Sequence, residues 1–290
     1  CRELGIETVA AYSQADAEAL HVQLATQAVC IGPSKAADSY LNPQALLSAA
    51  MASGCDGLHP GYGFLSENST FAKLCRENDI VFIGPAPEVI DRMGNKSQAR
   101  STMMEAGVPV VPGTKQAVHS AEEALPLARE IGWPIMIKAS SGGGGKGMRV
   151  SASESDFADM FAIAQRESVN GFDDDTMYLE RAVMEPRHVE VQILADRYGN
   201  VYHLGARDCS LQRRYQKVVE FAPAWSVPQE TVEALRRDAV KIARSVGYVS
   251  AGTVEFLVDK NGGYYFIEMN PRIQVEHTVT EMVTGVDIVR

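Results

Sequence analysis

The most constraining stretch lies late in the chain, where two alternating runs, Gly252–Asp259 and Tyr264–Asn270, flank Asn261-Gly262. Asn-Gly between alternating runs is the strongest short-range hairpin signal, because a two-residue turn of this kind needs positive φ at its central positions. Such a turn sets Lys260 opposite Gly263 and, counted outward, Glu255 opposite Glu268, with Asn270 on the same face. Like charges opposed at roughly 4.5–5.5 Å destabilise a sheet unless something positive lies between them. Two carboxylates and an amide oxygen are hard-oxygen donors suited to Mg²⁺ or Mn²⁺ bridging phosphates. Apolar Val254, Phe256, Ile267 and Met269 fill the alternate positions as one buried face would. A slip of one residue separates the glutamates, and both then face solvent.

Upstream, short β-rich runs alternate with helical segments: Thr8–Tyr12, a helix through Pro43–Met51, Gly57–His59, a helix around Ser66–Glu77, and Ile80–Gly84. That rhythm predicts βαβ units and a parallel sheet. Helix patterns near Pro87–Met93 and Asn95–Ala106 lead to Val108–Gly113, an extended stretch punctuated by two prolines, where a domain junction is expected. A small α+β unit follows: a helix near Ala121–Ile131, strands Pro134–Lys138 and Met148–Ser151, a helix near Glu154–Ser168, and strand Met177–Arg181. Beyond His188, two more strands flank a turn at Asp196–Asn200, and a helix near Gln229–Val246 precedes the hairpin.

Gly142–Gly147 includes Lys146 and matches G-x-G-x-x-G, but a strand-like run follows it where a dinucleotide-binding turn requires a helix. Met148 stands where a P-loop lysine belongs, so that pattern fails as well. What remains is a glycine turn between two strands, either a flexible surface hairpin or a lid whose amides close over phosphates beside Lys146 and Lys138. Arg272, Gln274 and Glu276 alternate as along an extended segment: Arg272 offers a planar donor fork for a small oxyanion and Glu276 a base beside it. A polar strand face explains the same spacing, and His188 and the Gln212–Lys217 stretch each have similarly plain structural readings.

Of 290 residues 46% are apolar and 22% charged, which suits a folded protein of about two domains. With 27 Lys+Arg against 37 Asp+Glu, the net charge of −10 gives no support to nucleic-acid binding. Cys1, Cys30, Cys55, Cys75 and Cys209 include no CxxC pair, which predicts a reduced, cytoplasmic protein. No run approaches the roughly 20 apolar residues of a membrane span. The opening Cys1–Gly5 reads as a helix end capped by Gly5, which predicts a strand and most of a helix before it.

Taken together, His59–Asn68 (HPGYGFLSEN), Lys138 with Gly142–Gly147, Glu185–Glu190 (EPRHVE), Asp208–Glu220 (DCSLQRRYQKVVE) and Glu268–His277 (EMNPRIQVEH) closely resemble the biotin carboxylase family of the ATP-grasp superfamily. The resemblance implies an α/β and α+β architecture in which an N-terminal parallel-sheet domain precedes an ATP-grasp fold with a glycine-rich lid. The implied division is 1–84 for the N-terminal domain without its first strand, 85–110 for linker helices, 111–182 for the lid and 183–290 for a truncated catalytic domain. The implied reaction converts ATP and bicarbonate to carboxyphosphate and passes the carboxyl group to biotin on a carrier protein. Mg²⁺ or Mn²⁺, as two ions, would assist.

By the same resemblance, Lys96, Lys138, Gly143, Gly144, Gly145, Lys146, Gly147, Glu180, the backbone of Val183, His188, Gln212 and Leu257 contact the nucleotide. Glu255, Glu268 and Asn270 hold metal. Lys217, Arg272, Gln274 and the Val275 amide hold bicarbonate, which Glu276 deprotonates. Tyr215 stands where a histidine is frequent, and Lys146 replaces an arginine of some relatives. The family's C-terminal domain continues past the position of Arg290 with a further arginine for biotin, so this chain is expected to carry an incomplete site. Expected partners are a biotin carboxyl carrier, a carboxyltransferase and a second subunit, with no nucleic acid or membrane. Ala19–Leu24 and Ser39–Asn42 resemble enzymes serving acetyl-CoA carboxylation, whereas Pro271 and Thr278 resemble pyruvate carboxylase. Another bicarbonate-using ATP-grasp ligase and a non-catalytic nucleotide-binding module are the alternatives.

Overall fold

A computed structural model describes residues 1–114, 116–140, 147–172, 174–213 and 216–290, apart from the side chains of Lys96, Ser97 and Phe172. Strands β1 (Val9–Ser13) and β2 (Gln27–Gly32) pair in parallel around the short α1 (Leu20–Leu24), and β3 (Gly57–Leu58) and β4 (Val81–Phe82) form a second parallel pair. The expected parallel sheet is thus two separate two-stranded pairs among the described residues. Helix α2 (Pro43–Ala52) starts with proline where no N–H is needed, and the Asn42 side chain accepts from Gln44 and Ala45 N–H. Helix α3 (Ser69–Glu77) begins three residues later than the apolar pattern suggested, because Asn68 caps it by accepting from Phe71 N–H.

Helices α4 (Pro87–Gly94) and α5 (Lys96–Glu105) send Val89, Met93, Ala99 and Met103 into the largest core. A compact unit follows. Helix α6 (Ala121–Ile131) and α7 (Glu154–Phe172) pack Ala128, Phe157 and Phe161 against Ile135, Ile137 and Leu179 of an antiparallel sheet. Its strands are β5 (Ile135–Ala139), β6 (Met148–Ser151) and β7 (Met177–Arg181), in the order β6-β5-β7.

The remaining chain builds a five-stranded antiparallel sheet from β8 (Arg187–Ala195), β9 (Val201–Arg213), β10 (Gln216–Phe221), β11 (Ser250–Val258) and β12 (Tyr264–Asn270), ordered β10-β9-β8-β11-β12. Helix α8 (Gln229–Ser245) presses Leu235, Ala239 and Ile242 onto Val189, Val191, Ile193, Val254 and Phe256. Strand alternation sends Glu190, Gln192, Thr253 and Glu255 to the opposite face. These four are also buried, so the sheet has one apolar and one polar interior face. Helix α9 (His277–Thr284) follows β12 after a six-residue connection of irregular structure.

Glu255 does pair with Glu268, but not through a two-residue turn. Asp259 N–H donates to Gly263 O (2.7 Å), and the Asp259 carboxylate accepts from Asn261 and Gly263 N–H, closing a three-residue tip with Gly262 at φ +83°. That tip sets Phe256 opposite Phe266, and a bulge then leaves Ile267 as the extra residue before Glu255 meets Glu268. The longer tip and the bulge cancel. Phe266, not the predicted Ile267, completes the buried face with Val254, Phe256 and Met269. All five cysteines are free thiols, and among the described residues no helix is long and apolar enough to cross a membrane.

Candidate active site

Strand register assembles one transverse row on the polar face: Arg207 of β9 opposes Glu190 of β8, Glu190 opposes Glu255 of β11, and Glu255 opposes Glu268 of β12. Three neighbouring carboxylates require compensating charge. Arg207, fully buried, donates from Nε to Glu190 Oε1. Its Nη groups reach Gln192 Oε1 and Thr280 Oγ1, both at 2.8 Å, and Gln274 Oε1 at 3.1 Å. One guanidinium therefore ties β8, β9, α9 and the chain after β12 together.

The Lys217 ammonium, carried by edge strand β10, donates to Glu190 Oε2, to Glu255 Oε1 (2.8 Å) and to Glu276 Oε1 (2.7 Å). Burial alone would lower its pKa, but the Glu190 and Glu255 charges outweigh that and raise it above the ordinary lysine value. Lys217 is therefore a permanent cation, which excludes a merely solvated basic stretch at this position. Glu255 accepts in addition from His188 Nε2 (2.6 Å), Asn270 Nδ2 (2.8 Å) and Gln274 Nε2 (3.2 Å). Burial favours its neutral form, yet His188 and Lys217 overcome this and hold the carboxyl at about 2. Glu276 is similarly placed: burial raises its pKa, the Lys217 hydrogen bond and charge lower it, and the net shift is downward.

Residues 271–276 are not the extended segment that the spacing of Arg272, Gln274 and Glu276 suggested; they form an irregular turn, and Glu276 is the N-cap of α9. Gln274 nevertheless meets the row directly, Glu276 meets it through Lys217, and Arg272 reaches Asn270 beside it. Arg272 donates to Asn270 Oδ1 and to Ile273 O, both at 3.2 Å, and its Nε lies 3.4 Å from Glu67 in the N-terminal part. Gln274 is buried, with its carbonyl on Arg207 and its amide hydrogens directed at Glu255. Val275 is exposed.

A second group lies on the smaller sheet. Lys138 of β5 donates to Glu180 of β7, whose other oxygen is 3.8 Å from Arg100 Nη1 on α5. Val183 follows β7 in the connection to β8 and is partly buried. Gln212 Nε2 reaches His188 Nδ1 at 2.9 Å, and Leu257 pairs with His188 across β11 and β8. Gly147 adopts φ +68°, and a Cβ there would fall 2.8 Å from Ala139 Cβ, so this end of the turn accepts glycine only. Gly143, Gly144, Gly145, Lys146 and Tyr215, and the Lys96 side chain, lie outside the described residues.

Glu255, Glu268 and Asn270 fit a divalent ion by chemistry: two carboxylates on adjacent strands and an amide, with Glu255 ionised throughout the neutral range. Of these three residues, Glu255 is the one that accepts from Lys217. The sequence pattern missed Glu190, Gln192 and Arg207. The alternation His188, Glu190, Gln192 is a readable signal for one face of β8, whereas Arg207 gains its meaning only from cross-strand register.

The family description "Carbamoyl-phosphate synthase L chain, ATP binding domain" matches residues 95–290, and "Biotin carboxylase, N-terminal domain" matches residues 1–90. Biotin carboxylase 1 of Bacillus subtilis is 53% identical over 291 residues, covering 100% of this chain and 65% of that protein. The structure of a Campylobacter jejuni biotin carboxylase β-γ-ATP complex superposes with a TM-score of 0.92 at 48% identity, over 99% of this chain and 65% of that one. The biotin carboxylase domain dimer of Hydrogenobacter thermophilus 2-oxoglutarate carboxylase, solved with MgADP, ADP and bicarbonate, gives a TM-score of 0.90 at 49% identity over 100% and 64% of the two chains. The chain thus spans just under two thirds of the length of these relatives.

Proposed function

The chain belongs to the biotin carboxylase family, and from that premise we propose that it serves the ATP- and bicarbonate-dependent carboxylation of biotin on a carrier protein, as the first half-reaction of acetyl-CoA carboxylation. The observation that carries this reading is the Lys217 ammonium shared by Glu276 and Glu255 at 2.7 and 2.8 Å, which puts a base and a phosphate-side carboxylate on one cation. In the proposed reaction Glu276, ionised by its place beside Lys217, takes the bicarbonate proton. The resulting carbonate oxygen attacks the γ-phosphorus of ATP, and ADP leaves. Lys217, Arg272, Gln274 and the Val275 amide hold the oxyanion, while Arg207 holds the Gln274 carbonyl and leaves its NH₂ on the Glu255 side.

Lys138, Lys96, Glu180, Val183, His188, Gln212 and Leu257, with Gly143–Gly147, take the nucleotide, and residues 111–182 act as its lid. Glu255, Glu268 and Asn270 would hold Mg²⁺ or Mn²⁺, which supplies neutralisation of phosphate charge. A carrier protein, a carboxyltransferase and a second subunit complete the assembly, and the free thiols support a cytoplasmic setting. Pro271 and Thr278 favour a second reading of the acceptor, in which the same half-reaction serves pyruvate carboxylation.

The test is ADP release and carboxybiotin formation by the full-length protein at saturating ATP and Mg²⁺, with and without bicarbonate. Bicarbonate-dependent turnover that yields carboxybiotin is expected. Turnover that requires ammonia would replace this reading by a carbamoyl-forming ligase, and nucleotide binding without turnover by a binding module.

A further inference from the structure

Arg100 has no role in the reading above, yet it occupies an unusual position. It lies on α5 one helical turn after Lys96, its side chain is only 22% exposed, and its buried Nε–H has no acceptor among the described residues. A buried donor left unpaired costs free energy, so a purely structural arginine would be expected to satisfy it. Among the described residues the charge paired with it is Glu180, at 3.8 Å from Nη1, and Lys138 occupies the other oxygen of the same carboxylate.

Glu180 lies with its backbone and stem close against Gly113. Gly113 bridges to it across the chain, and a Cβ on Gly113 would fall 2.9 Å from Glu180 Cγ and 3.2 Å from its Cα. Lys138 and Arg100 therefore share one carboxylate. When a polyphosphate arrives, Lys138 is drawn to it, because the phosphates carry more negative charge than a single carboxylate. Glu180 is then left with one counter-ion.

We propose that Arg100 is a positioning residue for nucleotide binding: it keeps Glu180 neutralised and in place, so that Lys138 is released to the phosphates. This rests on the ATP-binding reading above. It deepens that reading by assigning a residue outside the motifs.

The experiment is a double-mutant cycle on the full-length protein, with ATP and adenosine titrated against wild type, Arg100→Gln, Glu180→Gln and the pair. Arg100→Gln should weaken ATP binding about fivefold while leaving adenosine nearly unaffected, since an ion pair of this kind contributes about 1 kcal/mol. In the Glu180→Gln background the same substitution should change little, and Arg100→Lys should restore most of the affinity. An equal loss in both backgrounds, unchanged ATP affinity in Arg100→Gln, or an equal loss for adenosine overturns the assignment. A wild-type protein that binds no ATP removes the reading on which it rests, an outcome visible before any variant is compared.

Discussion

The Lys217 ammonium lies 2.7 Å from the Glu276 carboxylate, although 59 residues separate them and one sits on an edge strand, the other at a helix N-terminus. A cation so placed favours the ionised carboxylate, as the proposed role of Glu276 requires. Lys217→Met in the full-length protein should lower bicarbonate-dependent ATP turnover by about 10²–10³, the usual scale for removing one charge-stabilising donor. Loss of less than about tenfold, with the fold intact by circular dichroism, would argue against the role given to Lys217.

Arg207 and Glu190 are both fully buried and bonded through Nε and Oε1. Replacing Arg207 alone by Leu leaves Glu190 with Lys217 as its remaining cation, and should cost about 3–5 kcal/mol in urea unfolding. Replacing both by apolar residues should recover much of that loss. A single variant within about 1 kcal/mol of wild type contradicts the network.

Gly113 meets Leu179 O at 2.5 Å from the position of an added Cβ. That neighbour is backbone and cannot rotate away, so Gly113→Ala should destabilise by about 1–3 kcal/mol and weaken ATP binding through Glu180. Calorimetric melting together with a nucleotide titration tests both halves. Unchanged melting would mean that the Gly113 segment separates from β7 at little cost.

Asp208 is buried, which alone would raise its pKa, but hydrogen bonds from Ser210 and Ser226 reverse this and hold it below the ordinary aspartate value. A carboxyl depressed in the folded state adds stability above its unfolded pKa, about 3.9, and loses that contribution as pH falls through the folded value. The stability difference between wild type and Asp208→Asn should therefore be constant above about pH 5 and shrink below pH 4. A difference that grows on acidification gives the opposite sign and excludes the account.

Glu268 pairs with Glu255 across the hairpin, so Glu268→Gln removes one of two opposed charges. Turnover of the full-length protein should fall and need more Mg²⁺. Equal activity at limiting Mg²⁺ would remove Glu268 from the metal set.

Much of the arrangement was readable before the structure. Alternation exposed both strands of the last hairpin, and the order of Lys217, Glu268, Arg272 and Glu276 along recognisable motifs pointed to one site. Asn-Gly signals a turn without stating its length; the Asp259 side chain, which caps two amides, sets three residues there. The spacing of Arg272, Gln274 and Glu276 imitated a strand because the irregular turn happens to bring every second side chain to the same cluster. Arg207 was invisible. Its sequence neighbours are ordinary strand residues, and its function as a tie comes from five partners on other segments.

The bulge at Ile267 also bears on how failure would look in a preparation. Without it, continuing the tip's register places Glu268 opposite Val254, in the apolar layer, and Ile267 opposite Glu255. A molecule paired that way has a carboxylate in its core and every downstream group, from Asn270 to Glu276, out of step. It would have no intermediate level of function. For the reaction proposed above, a sample of the full-length protein containing such molecules should show unaltered Michaelis constants and too few titratable sites, so a count of active sites per chain would gauge pairing fidelity in this one hairpin.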